Sequence, residues 1–271
     1  MKRSKLLLPL VFLLSLSACA SNVSLEELTI SGIYMDSYDI SNYINNYNNY
    51  MLYNTSETKS QWYSVDVKMY SKETYDNVTN EIEGTYTGSI YLSRDEFYNK
   101  AKINAKINET SYDNSTYETT KETATITFYE GIAYLYLRYE EKSENEKYLD
   151  IEYDKDSNYS LKDVFEEVGV PSLEISDYFN IMQNPQGIFN VNTYKVGTNN
   201  GIAITRSNDG DLMQIYFDTF EDSYQMKELK IYVSSYSYNS DSNRSEELKY
   251  AVSIKTKLFG LITKPSNLNK Y

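Results

Sequence analysis

Cys19 is the only thiol in the chain, and its setting decides what that sulfur can do. Lys2, Arg3 and Lys5 come first, an apolar run from Leu6 to Leu14 follows, and Leu16, Ser17 and Ala18 stand just before the cysteine. Cations, a short greasy core and small residues, in that order, form an export signal that is removed during maturation. The apolar run is too short to span a bilayer, which takes roughly 20 residues. An exported chain can use disulfides, yet Cys19 has no second cysteine to pair with.

Other reactive types are few. There is no histidine, which removes the usual imidazole base, the Ser-His-Asp arrangement and the commonest zinc ligand. No GxGxxG, GxxxxGK[ST] or GxSxG is present among the ten glycines. Carboxylate-only chemistry and a serine-lysine pair remain open. A glycosidase needs two carboxyls about 5 to 9.5 Å apart, but with 39 acids some pair satisfies that by chance. Asp154-Lys155-Asp156-Ser157-Asn158 begins like a calcium loop, but Tyr159 and Phe165 replace the glycine and the glutamate that geometry needs. No metal and no cofactor is expected.

The net charge is -13, and losing Lys2, Arg3 and Lys5 with the signal takes it to -16. Such a surface repels nucleic acid and offers no polybasic patch to anionic lipid. Thirty tyrosines, with many Asn, Lys and Ile, fit a low-GC coding bias. Tyrosine also suits a half-buried sheet, with an apolar ring and a hydroxyl that reaches water.

Leu16-Ser17-Ala18-Cys19 closely resembles the lipobox of bacterial lipoprotein signals. The resemblance implies that a diacylglycerol is attached to the Cys19 sulfur and that Cys19 becomes the first mature residue. Two acyl chains bury many methylenes at about 0.8 kcal/mol each, enough to hold a protein durably on a membrane. The domains expected are a signal over 1–18, the lipidated cysteine with a short tether over 19–24, and one β domain over 25–271. The mature 253 residues are long enough for a substantial core.

Period-two alternation dominates that mature part. Tyr63, Val65, Val67 and Met69 share one side of a strand, with Ser64, Asp66 and Lys68 opposite. Ile82 to Leu92, Ala101 to Ile107 and Ala124 to Phe128 repeat the pattern. Glu130-Gly131 predicts a tight hairpin into Ile132–Tyr139, and Leu149, Ile151 and Tyr153 follow. Further strands are expected around 191–197, 201–206, 212–219, 226–237 and 247–259, with Asn208-Asp209-Gly210-Asp211 as a turn. One apolar and one polar face predict an antiparallel sheet wet on one side. Helical spacing appears only at Ile40, Tyr43, Ile44, Tyr47 and Met51, after Ser160, and over 173–183.

The total is about eleven strands and three helices. Eleven strands at about 4.8 Å make a sheet roughly 50 Å across, whereas three helices of about 10 Å cover some 30 Å. The apolar face must then pack on itself or surround a cavity. The order of elements resembles the LolA/LppX-like lipoprotein superfamily. That resemblance implies a curled half-barrel, with helices over its concave face and an apolar cavity for acyl chains.

Under that reading Val65, Val67, Met69, Ile90, Ile103, Ile126 and Leu135 line the interior, and an uncompensated charge among them would argue against the packing. The function expected is a non-enzymatic, membrane-anchored lipoprotein on the extracytoplasmic face of a bacterial cell, binding a lipid or other hydrophobic ligand. Two alternatives stay open: a surface protein that meets another envelope protein or a polysaccharide, and a carboxylate-dependent hydrolase.

Overall fold

The structure is a computed structural model. It describes residues 24–35, 60–92, 99–113, 116–129, 132–142, 147–155, 190–196, 201–220, 226–258 and 260–262. The signal, Cys19 and the three expected helices lie outside these residues.

Among the described residues twelve strands form one sheet: β1 (Ile33–Met35), β2 (Gln61–Tyr75), β3 (Val78–Leu92), β4 (Lys100–Asp113), β5 (Thr116–Tyr129), β6 (Ile132–Lys142), β7 (Lys147–Lys155), β8 (Asn190–Val196), β9 (Gly201–Asn208), β10 (Asp211–Thr219), β11 (Met226–Asn239) and β12 (Arg244–Lys257). Their order across the sheet is β1-β8-β9-β10-β11-β12-β2-β3-β4-β5-β6-β7, so the ladder runs from β1 to β7 without closing. Two meanders, β2 to β7 and β8 to β12, meet where β12 lies antiparallel to β2 over Ser245↔Thr74 to Lys257↔Trp62.

Tight turns account for the meanders. Asp76 and Asn77 both have positive φ, 49° and 68°, between β2 and β3. That two-residue geometry matches the right-handed twist of the strands it joins, and Asp and Asn tolerate it. Between β9 and β10 the two-residue turn is different, with positive φ at Gly210 alone, 86°. β5 and β6 pair antiparallel as expected, with Tyr129 opposite Ile132; Glu130 and Gly131 lie outside the described residues.

Alternation sets the two faces. In β4, Ala101, Ile103, Ala105 and Ile107 are buried, whereas Lys102 and Lys106 between them are exposed. The strands outrun this pattern. β2 is buried in alternation only from Tyr63 to Val67, and its last eight residues are half-buried or exposed. The turn-proximal ends of β2 to β5, β11 and β12 therefore form a polar extension beyond the core.

One expectation needs correction. The second face is not wet throughout, because Ala203, Gln214, Tyr232 and Ala251 on it are buried. Leu28 lies across part of it: its N–H donates to Gln214 Oε1 at 2.7 Å, and Gln214 Nε2 donates to the Leu28 carbonyl at 3.3 Å. Local alternation cannot foresee a cover supplied from 186 residues away.

Candidate functional site on the apolar face

Register turns the alternating residues into rows that cross the sheet. Val65 lies opposite Gly88, Gly88 opposite Ile103, Ile103 opposite Ile126, and Ile126 opposite Leu135. Four of the seven expected lining residues thus fall in one row. Val67 heads the next with Tyr86, Ala105 and Ala124, and Ile90 belongs to a third with Tyr63, Ala101 and Phe128. Val65, Val67, Ile90 and Ile103 are at most 1% exposed, Ile126 is buried, and Met69 packs half-buried against the same cluster. The rows continue through Ile254, Leu229 and Phe217 on β12, β11 and β10.

Small residues recur on the β3–β5 part of this face: Gly84, Gly88, Ala101, Ala105 and Ala124. Larger neighbours lean into the space they leave. A Cβ on Gly84 would stand 2.5 Å from Met69 Cγ, so the Met69 side chain lies over that glycine. Tyr86 donates its hydroxyl to Met69 Sδ at 3.9 Å. At Gly88 the close neighbour is backbone: an added Cβ would run into the Lys102 carbonyl oxygen.

Glu122 is the residue sequence reasoning missed. It lies opposite Ile107, in the Met69–Gly84 row, and is only 5% exposed. The signal was there: Glu122 stands two residues before Ala124, at the same parity as Ala124, Ile126 and Phe128. Burial, reinforced by the neighbouring Glu109 carboxylate, pushes its carboxyl up from 4.5 to about 7. Burial, with the Glu122 charge second, also pushes the Tyr86 hydroxyl well above the usual tyrosine range. A buried carboxyl avoids the cost of an uncompensated charge by keeping its proton. The face therefore carries a neutral hydrogen-bonding group below about pH 7, where its apolar rows give way to the polar extension at Glu109 and Thr120.

Among the described residues, the serine-lysine pair left open by the sequence has a geometric counterpart. On the opposite face Lys257 donates from Nζ to Ser89 Oγ, and its ring neighbour Trp62 lies 6.0 Å from the ammonium. Burial lowers the Lys257 pKa, while Asp66 opposes that change. Acyl transfer also needs donors aimed at a developing oxyanion. Ser89 sits within β3, paired with Ser64 on one side and Lys102 on the other, so the backbone around it is committed to the ladder. Among the described residues no group of three or more His, Cys, Asp or Glu is arranged to hold a metal.

No family model matches the chain, and no curated protein matches it. Among solved structures, the translocator domain of the autotransporter NalP from Neisseria meningitidis is similar at 6% identity, covering 81% of this chain and 95% of that one. The TM-score is 0.17, a likeness too small to carry an argument about fold or function.

Proposed function

We propose that the chain is a non-enzymatic lipoprotein, anchored through Cys19 on the extracytoplasmic side of a membrane, whose apolar sheet face takes a lipid or other hydrophobic ligand. The observation that supports this most is the continuity of that face: apolar rows run from β9 to β5 and end at a buried carboxyl beside a polar margin. In this reading the sheet is curled as a half-barrel and the helical segments at 40–51, 160–169 and 173–183 cover its concave side. Each Å² of apolar ligand surface taken from water contributes about 25 cal/mol. Glu122 stands where the polar end of an amphiphile would come to rest.

The anchor fits the same picture. The segment leading from Cys19 reaches Leu28, which Gln214 holds on the opposite face, away from the apolar rows.

Two measurements test the proposal. Solvent extraction and mass spectrometry of chain purified from membranes should return a noncovalent hydrophobic ligand, and a dansyl-labelled fatty acid should bind and be displaced by it. Clean protein that ignores the probe sinks the carrier reading. Separately, Cys19→Ala should abolish fatty-acid labelling and release the chain from membranes; unchanged labelling removes the anchor.

A further inference from the structure

The polar extension carries an aromatic pattern that ligand binding on the apolar face does not use. On the opposite face, register places Tyr238 beside Ser245, Ser245 beside Thr74, Thr74 beside Thr79, and Thr79 beside Tyr112, which pairs with Tyr117. The row therefore has a tyrosine at one end, a tyrosine pair at the other and only hydroxyl side chains between. Tyr238, Tyr112 and Tyr117 are 58%, 40% and 64% exposed, so these rings meet solvent rather than core. Four strand spacings of about 4.8 Å separate Tyr238 from Tyr112, roughly 19 Å.

Both ends are held in place without being buried. Tyr238 donates its hydroxyl to Asn243 Oδ1 at 3.2 Å, within the β11–β12 turn. Tyr112 and Tyr117 meet edge to face with centroids 5.1 Å apart. Thr74 and Thr79 hydroxyls lie 3.1 Å from each other, forming a floor of paired donors and acceptors. Rings fixed before binding lose little rotamer freedom when a ligand arrives.

Charge selects among polymers. In the adjoining row Lys72 is paired with Glu81 at 2.6 Å, and Glu247 of that row with Lys249 of the row beyond at 2.8 Å. These cations beside the stripe are thus neutralised and give an anionic chain little to hold. The net charge of -13 repels one further. A neutral ligand with alternating hydroxyl edges and flat C–H faces matches the stripe: its hydroxyls meet Ser245, Thr74 and Thr79, and its C–H faces meet the electron-rich ring faces.

We propose that this stripe is a binding surface for an uncharged polysaccharide, several sugar units long, laid across β11, β12, β2, β3 and β4. The surface holds whether or not the apolar face takes a lipid, since it lies on the other side of the sheet and at its far end.

Affinity electrophoresis of the full mature chain through gels containing laminarin, soluble starch or galactomannan tests it, with polygalacturonate as the charged control. At least one neutral polymer should retard the chain, and polygalacturonate should not. Tyr238→Ala and the double change Tyr112→Ala with Tyr117→Ala should each weaken binding at least tenfold. Tyr238→Phe and Tyr112→Phe should stay within about threefold, since the ring remains. Urea midpoints of all variants separate lost binding from lost folding. No retardation by any neutral polymer, preference for polygalacturonate, or alanine variants that fold and still bind would each overturn the proposal.

Discussion

The apolar face is built in two ways on its two sides. On β9 to β12 bulky residues oppose bulky residues: Phe217 faces Leu229, Leu229 faces Ile254, and Ile215 faces Ile231, all at most 2% exposed. On β2 to β5 large and small residues are mixed within each row, as in Val65–Gly88–Ile103 and Val67–Tyr86–Ala105–Ala124. The first side fills its own volume in register. On the second, larger side chains lean over small partners, with Met69 laid over Gly84 in its own row, and this side alone carries a deeply buried carboxyl among the described residues, Glu122. The contrast teaches that one continuous face can be scaffold on one side and adaptable on the other, without any break in its hydrophobicity.

That contrast can be broken most directly on the filled side. Leu229→Ala should cost about 2–5 kcal/mol in urea unfolding, because tightly packed neighbours cannot collapse into the space. A loss below about 1 kcal/mol would show that the β9–β12 side is not filled after all.

Next comes the charge. The folded Glu122 keeps its proton to about pH 7, the unfolded one only to 4.5, so the folded chain holds more protons across that window. Stability must then fall as pH rises from 4.5 through 7, by about 3 kcal/mol in all from this group. Ile107 lies directly opposite it, and Glu109 and Tyr86 are the titratable neighbours that act on it or respond to it. Glu122→Gln should remove this part of the pH slope and leave the chain more stable than the parent at about pH 8. A parent whose urea midpoint is flat across this window would contradict the burial assigned to Glu122.

The smallest effects separate two glycines on the adaptable side. Gly88→Ala pushes a Cβ toward the Lys102 carbonyl oxygen, which is backbone in a paired strand, and should cost about 1–3 kcal/mol. Gly84→Ala displaces only the flexible Met69 side chain and should stay within about 1 kcal/mol. Equal costs at the two positions would mean that Met69 is as rigid as the sheet itself.

Much of the strand layout was legible. Val65, Val67 and Met69 alternate with Ser64, Asp66 and Lys68 because successive Cβ atoms point to opposite faces, and that rule needs no tertiary information. The Asn208-Asp209-Gly210-Asp211 turn was readable for the same local reason, since its chemistry lies in the turn residues. Glu122 was legible in parity but was passed over, because a charge at an apolar position looks like a strand margin until its neighbours are known. The burial of Gln214 was not legible at all, since Leu28 reaches it from the other end of the chain.

Residue order alone therefore determined the period-two strands, their turns and the motif around Cys19, all of which are written within a few neighbouring positions. Tertiary structure alone decided which strands meet, because pairings such as Ile254↔Val65 join segments nearly two hundred residues apart. From that register follow the carboxyl that keeps its proton among Ile107 and Ala124, and the exposed row from Tyr238 to Tyr112. Alternation states which face a side chain takes; only pairing states what stands beside it there.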